Sequence, residues 1–220
     1  MKTPARSTLP SWLSEMSGGN ARTELTVSEF FPLDFPAFCR VFNPARATGV
    51  ARRWTEVAGT AATITGRRQW QDVAMQPGPS ELPRVDPIMG GIDLEVATAL
   101  ASILGEHTKT PDSVYFLAWE GYADLNDAYR GSGTILSPYG RQMHVRHGSL
   151  ADVGPVAAAR GTDMPLWWIP EDGSWAVGND IYARSVYVGG SAECIDDIIQ
   201  QPVLESIRVS ASDQVVAEDY

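Results

Sequence analysis

Cysteine is scarce in this chain of 220 residues, with Cys39 and Cys194 the only two. Two cysteines make neither a disulfide framework nor a metal cluster, and they read as buried free thiols of a reducing compartment. Histidine is nearly as rare, at three. His144 and His147 lie on an expected strand at a spacing that sends them to opposite faces, so they cannot easily share an ion. His107 is remote in sequence, and neither a metal nor a cofactor is expected. No apolar run approaches the ~20 residues that cross a bilayer. The stretch from Met1 to Pro10 lacks the apolar core of a secretory signal, which points to the cytoplasm. Basic charge is also short: 17 Lys and Arg stand against 27 Asp and Glu, a net charge of −10. That field repels phosphate backbones and argues against nucleic acid as a partner. Motifs are missing as well. There is no Gly-x-Ser-x-Gly elbow, and Arg130-Gly-Ser-Gly133 lacks the lysine and helix of a phosphate loop.

What is present is an apolar content of 44 %, enough for a sizeable core. The chain is organised around residues 163–209, where Trp167, Trp168 and Trp175 supply three of its seven tryptophans. Leu166 to Ile169, closed by Pro170, suits a largely buried strand. Glu171-Asp172-Gly173 is turn chemistry, and Ser174 to Gly178 alternates, so a hairpin is expected. Of the adjacent pair Trp167 and Trp168, one is expected in the core and the other towards a second layer or a partner. Val186 and Val188 point to one face of a further strand, with Ser185 and Tyr187 on the other. Ser191 is a good N-cap for a helix carrying Ile195, Ile198 and Ile199 on one side. Gly189-Gly190-Ser191 at that helix start could hold an anion, though Asp196 and Asp197 oppose it. Glu205 to Val209 makes a last strand.

Upstream, residues 1–23 read as an N-terminal arm with one helical turn around Trp12. Residues 24–210 form a single domain, and 211–220 a flexible tail. Glu24 to Phe31 and Ala37 to Phe42 read as strands, and Trp54 to Ala62 as a helix. Arg46, Arg52, Arg53, Arg67 and Arg68 make the one basic region, most simply a solvated face. Residues 76–91 are too rich in proline and glycine for regular structure and read as a lid or a mobile loop. Asp93 caps a helix built on Leu94, Ala97, Leu100, Ala101 and Leu104. Ser113 to Trp119 is a central strand, followed by short strands at Thr134 to Leu136 and Gln142 to His147. A short helix is expected from Ser149 to Arg160.

The C-terminal stretch resembles a group of uncharacterised proteins from high-GC Gram-positive bacteria. The matching residues are Trp167, Trp168, Pro170, Asp172, Ser174, Trp175, Asp180 and Tyr187 to Ser191. Phe38 to Pro44 and Phe116 to Gly121 look like earlier blocks of the same pattern. The departures are Asn43, where the group carries His, and Gly173, where it carries Arg. The resemblance implies a fold and no activity.

These readings give an α+β fold: a mixed, largely antiparallel sheet with helices packed mainly on one face. The favoured function is non-enzymatic binding of another protein with a basic patch, in the style of acidic immunity or regulatory proteins of the SUKH type. An aromatic and acidic surface of Trp12, Trp168, Asp172 and Tyr187 would carry it. Homo-oligomerisation is left open. The alternative is a hydrolase-like enzyme on a small molecule, in which strand-end carboxylates (Glu120, Asp124, Asp172, Asp180) cluster with a histidine such as His144.

Overall fold

The computed structural model describes residues 9–16, 24–47, 49–59, 63–74, 84–122, 133–154 and 164–215. Their centre is an eight-stranded antiparallel sheet, and the fold is α+β. In chain order the strands among the described residues are β1 (Ala37–Phe42), β2 (Ala45–Ala47), β3 (Val50–Arg52), β4 (Arg84–Val85), β5 (Val114–Trp119), β6 (Thr134–Leu136), β7 (Gln142–Gly148), β8 (Trp167–Pro170), β9 (Ala176–Gly178), β10 (Ser185–Gly190) and β11 (Ser206–Val209). The large sheet runs β11-β1-β10-β9-β8-β5-β7-β6, and a small three-stranded sheet runs β3-β2-β4. The expected hairpin forms: β8 and β9 pair with Trp168 opposite Val177, and Gly173 in the turn takes φ 64°.

Alternation along the strands divides the core in two. Cys39, Val41, Phe116, Trp168, Val177, Val186 and Val188 share the first face. Two helices cover it, α5 (Leu94–Glu106) and α6 (Ala192–Gln200), which bury Val96, Ala97, Leu100, Leu104, Cys194, Ile195 and Ile198 against those strands. Both start where side-chain caps were expected: Asp93 accepts from Glu95 N at 3.0 Å and Ser191 from Cys194 N at 3.1 Å. The second face carries Phe38, Tyr115, Leu117, Val145, Trp167, Ile169 and Tyr187. It is roofed by short pieces, α1 (Ser11–Met16) and α2 (Val27–Phe30), through Leu13, Met16, Leu25, Phe30 and Phe31. At its β1 end, α3 (Trp54–Ala58) and α4 (Trp70–Ala74) pack Trp54, Trp70 and Val73 around Phe42.

Trp167 and Trp168 therefore both lie in the core, at 1 % and 0 % exposure, rather than one only. Trp168 donates its Nε1 to Pro165 O at 2.9 Å on the first face. Trp167 meets Phe30 at 4.5 Å between ring centroids on the second. Gly178 allows that contact, since a Cβ there would sit 2.7 Å from the Trp167 ring and 2.8 Å from Phe30. Burial on both faces also reaches a charged residue. Arg40 is fully buried on β1, donating to Ser185 Oγ at 2.7 Å, Arg68 O at 2.8 Å and Gly66 O at 3.1 Å. Its guanidinium lies 4.8 Å from the Phe42 ring centroid, which bolts residues 66–68 onto the sheet.

Three local expectations are corrected. Residues 24–31 hold α2 instead of a strand, because Thr26 and Glu29 form a capping box in which each side chain accepts from the other's amide. The tail is anchored up to Val215: Val27 N, Ser28 N and Val215 N bond to Asp213 O, Ala211 O and Leu25 O. The helix expected from Ser149 is a single 3-10 turn, Leu150–Asp152, and residues 155–163 lie outside the described residues. No helix among the described residues is long and apolar enough to cross a membrane.

Candidate functional site

Antiparallel pairing gives the sheet two rims. One gathers the ends of β1, β5 and β9 with the starts of β7, β8 and β10. Above it lies the segment 86–93, irregular in backbone but tied down by side chains and amides from four other places in the chain. Asn43, just past β1 and fully buried, donates both amide hydrogens, to Gly91 O at 2.9 Å and Ile88 O at 3.1 Å. Its Oδ1 accepts Asp93 N at 3.0 Å. Asn179 donates to Gly91 O at 3.2 Å, Arg184 to Pro87 O and Tyr122 to Gly90 O. Gly90 N donates to Ala183 O at 2.9 Å. Asp93 caps α5 and also holds Arg46 at 2.8 Å. Each buried backbone group so paired escapes a desolvation penalty of about 1–3 kcal/mol.

The product is a rigid loop whose tip points two large apolar side chains at solvent. Ile88 and Met89 are each 49 % exposed, and Leu94 at the start of α5 is exposed too. Asp86 and Glu95 flank the tip in exposed positions. The Asn179 Oδ1 at its root is buried and has no hydrogen-bond partner among the described residues. Gly90 is obligatory here, with φ 67° and the place of a Cβ only 2.3 Å from Ile181 O. Gly90→Ala is expected to lower unfolding stability by about 1–3 kcal/mol, the usual size of left-handed strain in a non-glycine residue. Chemical denaturation checks this, and an unchanged midpoint would mean the loop relaxes freely.

The expected partner surface is not assembled. Trp168 and Tyr187 are buried in the cores of opposite faces, so neither can meet a partner. Trp12 packs back on the protein, edge-on to Tyr115 at 5.8 Å. Asp172 is exposed but braces its own turn, accepting from Lys109 N at 2.7 Å, Thr108 Oγ1 at 3.0 Å and Ser174 N at 3.1 Å. Burial works to raise its carboxyl; the bonds from Lys109, Ser174 and Thr108 outweigh that and hold it below the ordinary aspartate value. Its contribution to stability is therefore present at neutral pH and is lost in acid, as pH falls through the lowered value.

The strand-end carboxylates divide between the rims. Glu120 and Asp180 belong to the loop rim, where Asp180 is buried and accepts from Arg141 Nε and Tyr182 N, each at 3.1 Å. Asp172 sits at the opposite rim, and Asp124 lies outside the described residues, as does Arg130. His144 and His147 face opposite sides, in register with Ala118 and Tyr115. His107 contacts Asp197 at 2.8 Å. The basic region is dispersed: Arg46 pairs with Asp93, Arg53 donates to Pro202 O, Arg67 lies 3.7 Å from Asp213, and Arg68 donates to Thr63 O. Burial raises the Cys39 thiol far above its ordinary value and pushes Cys194 up to about 12, so both stay protonated and unreactive at neutral pH. Among the described residues, no three His, Cys, Asp or Glu side chains are grouped to hold a metal ion.

Sequence reasoning noticed Asn43, the glycines and Asp93 separately but missed the apolar tip. The available signal was Ile88-Met89 itself, two large apolar residues between Pro87 and Gly90 with no periodicity to bury them. Comparison with known protein families, with characterised proteins and with solved structures returns no match.

Proposed function

We propose that the protein is a binding module that recognises another protein through the tip of the 86–94 segment. The observation that carries this reading is the rigid outward display of Ile88 and Met89. Apolar side chains fixed before contact lose little conformational entropy on binding, and an exposed apolar cluster ringed by charge marks recognition surfaces. Arg46 bridges Asp93 and Glu95 and Arg184 donates to Pro87 O, so the charges around the tip are engaged within the protein and the apolar side chains carry the contact. The net charge of −10 favours a partner with an apolar cleft rimmed by Lys and Arg. The cytoplasmic location read from the sequence belongs to the same proposal.

The test compares proteins captured by the wild type with those captured by Ile88→Asp/Met89→Asp, a change to exposed residues that should leave thermal stability nearly unaltered. The specific partner is expected to be retained by the first and lost from the second, and equal capture would remove the tip from the interface. Association with that partner should slow as salt rises through physiological strength, because exposed charges are screened within about 8–10 Å. A rate flat with salt would eliminate the electrostatic contribution.

A further inference from the structure

The rim opposite the proposed binding tip holds a serine between two groups able to handle its proton. Ser113 Oγ donates to the Glu171 carboxylate and lies 2.8 Å from His147 Nε2. The three come from different elements: the residue before β5, the end of β7 and the turn after β8. Their positions are fixed from the backbone. Glu171 N donates to Ser113 O at 2.8 Å, and Ser113 N to Thr110 O at 3.0 Å. His147 lies opposite Tyr115 in the β5–β7 register, with its ring 4.8 Å from the tyrosine ring. Glu171 is exposed, and Ser113 and His147 are partly exposed, so a small molecule can reach the hydroxyl. Tyr115, buried in the core with Trp12 packed on it at 5.8 Å, backs the His147 ring.

We propose that Ser113 is a nucleophile for acyl transfer from small esters, with Glu171 as its base and His147 as its oxyanion donor. Oγ attacks the ester carbonyl while its proton passes to the Glu171 carboxylate, forming the Oγ–C bond. The Ser113 hydroxyl gives its one hydrogen to Glu171, so His147 Nε2, 2.8 Å from Oγ, takes the donor role and turns that hydrogen to the oxyanion on the attacked carbon. Collapse breaks the C–O bond to the leaving group, which takes the proton back from Glu171. Water then attacks the acyl-serine, its proton again goes to Glu171, and Oγ recovers that proton as the carboxylic acid departs. The balance is one ester and one water consumed, and one acid and one alcohol released.

A second serine supplies the internal control. Ser149 Oγ donates to Asp112 Oδ1 at 2.8 Å, a serine–carboxylate pair with no histidine bonded to the hydroxyl. The experiment treats the full chain with an alkyl fluorophosphonate, whose phosphorus takes Oγ as fluoride leaves, and maps the adduct by mass spectrometry. It also follows p-nitrophenyl acetate hydrolysis. The adduct is expected on Ser113 and not on Ser149. Ser113→Ala should abolish both labelling and hydrolysis, while Ser149→Ala leaves both unchanged. Glu171→Gln, nearly the same shape, should slow both by about a hundredfold, within the usual range for a positioned base. His147→Ala should slow them by about tenfold or more. Circular dichroism establishes that each variant is folded, and the Glu171→Gln result stands if Ser113→Ala is not. No labelling above that of heat-denatured protein, or rates unchanged in folded Glu171→Gln, would overturn the proposal. Either failure leaves the binding-tip reading intact, because the two sites lie at opposite rims.

Discussion

Trp167→Ala and Trp168→Ala are each expected to lower unfolding free energy by about 3–5 kcal/mol, the range for emptying a buried large side chain. Both rings are essentially inaccessible, yet they serve different cores. Trp168 joins Phe116, Val177 and α5, while Trp167 joins Phe30, Phe31 and Tyr187. Truncating either leaves a cavity that a rigid sheet cannot close. Because the cavities open on opposite faces, the losses should be close to additive. The double variant would then lose most of the 5–15 kcal/mol that holds a domain folded and should show no cooperative transition. Denaturant titration of the three variants checks this. A Trp167→Ala loss under about 0.5 kcal/mol, the size of a surface substitution, would mean that the second face is not covered as described.

The covering of both faces was partly legible. Leu166 to Ile169 reads as an unbroken apolar run, and strands buried on both sides read in that way. The same holds for Ala37 to Phe42, where only Arg40 interrupts. What hid the second layer was its material: α1 and α2 are six and four residues long, too short for apolar periodicity to register. The one local signal, Thr26 with Glu29 three positions on, is a capping box that competed with the strand-like look of Leu25 to Phe31. The long elements were plain because their signals agree: Asp93 before a helical apolar stripe, Ser191 before another. The sites were less so. Ser113, His147 and Glu171 are separated by 34 and 24 positions, and only the β5–β7 and β5–β8 registers bring them together. The loop above the other rim depends on Asn43, Asn179, Tyr122 and Arg184, whose common target is backbone carbonyls with no sequence signature.

Asn43 is the residue on which that loop depends most. Asn43→Ala should lower stability by about 2–4 kcal/mol, because Ile88 O and Asp93 N lose their partner and Gly91 O keeps only Asn179, all in a mostly buried place. It should also speed hydrogen exchange at the Asp93 amide and weaken whatever the Ile88–Met89 tip binds. Asn43→Asp separates hydrogen-bond polarity from shape. It keeps an acceptor for Asp93 N but turns a carboxylate oxygen on Ile88 O and Gly91 O, where two donated bonds stood. Burial beside two carbonyls disfavours the ionised form, so the folded-state pKa of such an aspartate is raised. Its damage should be greatest above that raised value and should lessen as pH falls, when the protonated acid donates one bond again. The histidine expected here from the sequence resemblance is the third variant. A neutral imidazole donates once and accepts once, so Asn43→His can serve Asp93 N and one carbonyl but not both. It should fall between wild type and Asn43→Ala in stability and in tip affinity. Denaturation and binding measured on the same three proteins test the order. Equal stability in all of them would show that the loop does not depend on the Asn43 amide.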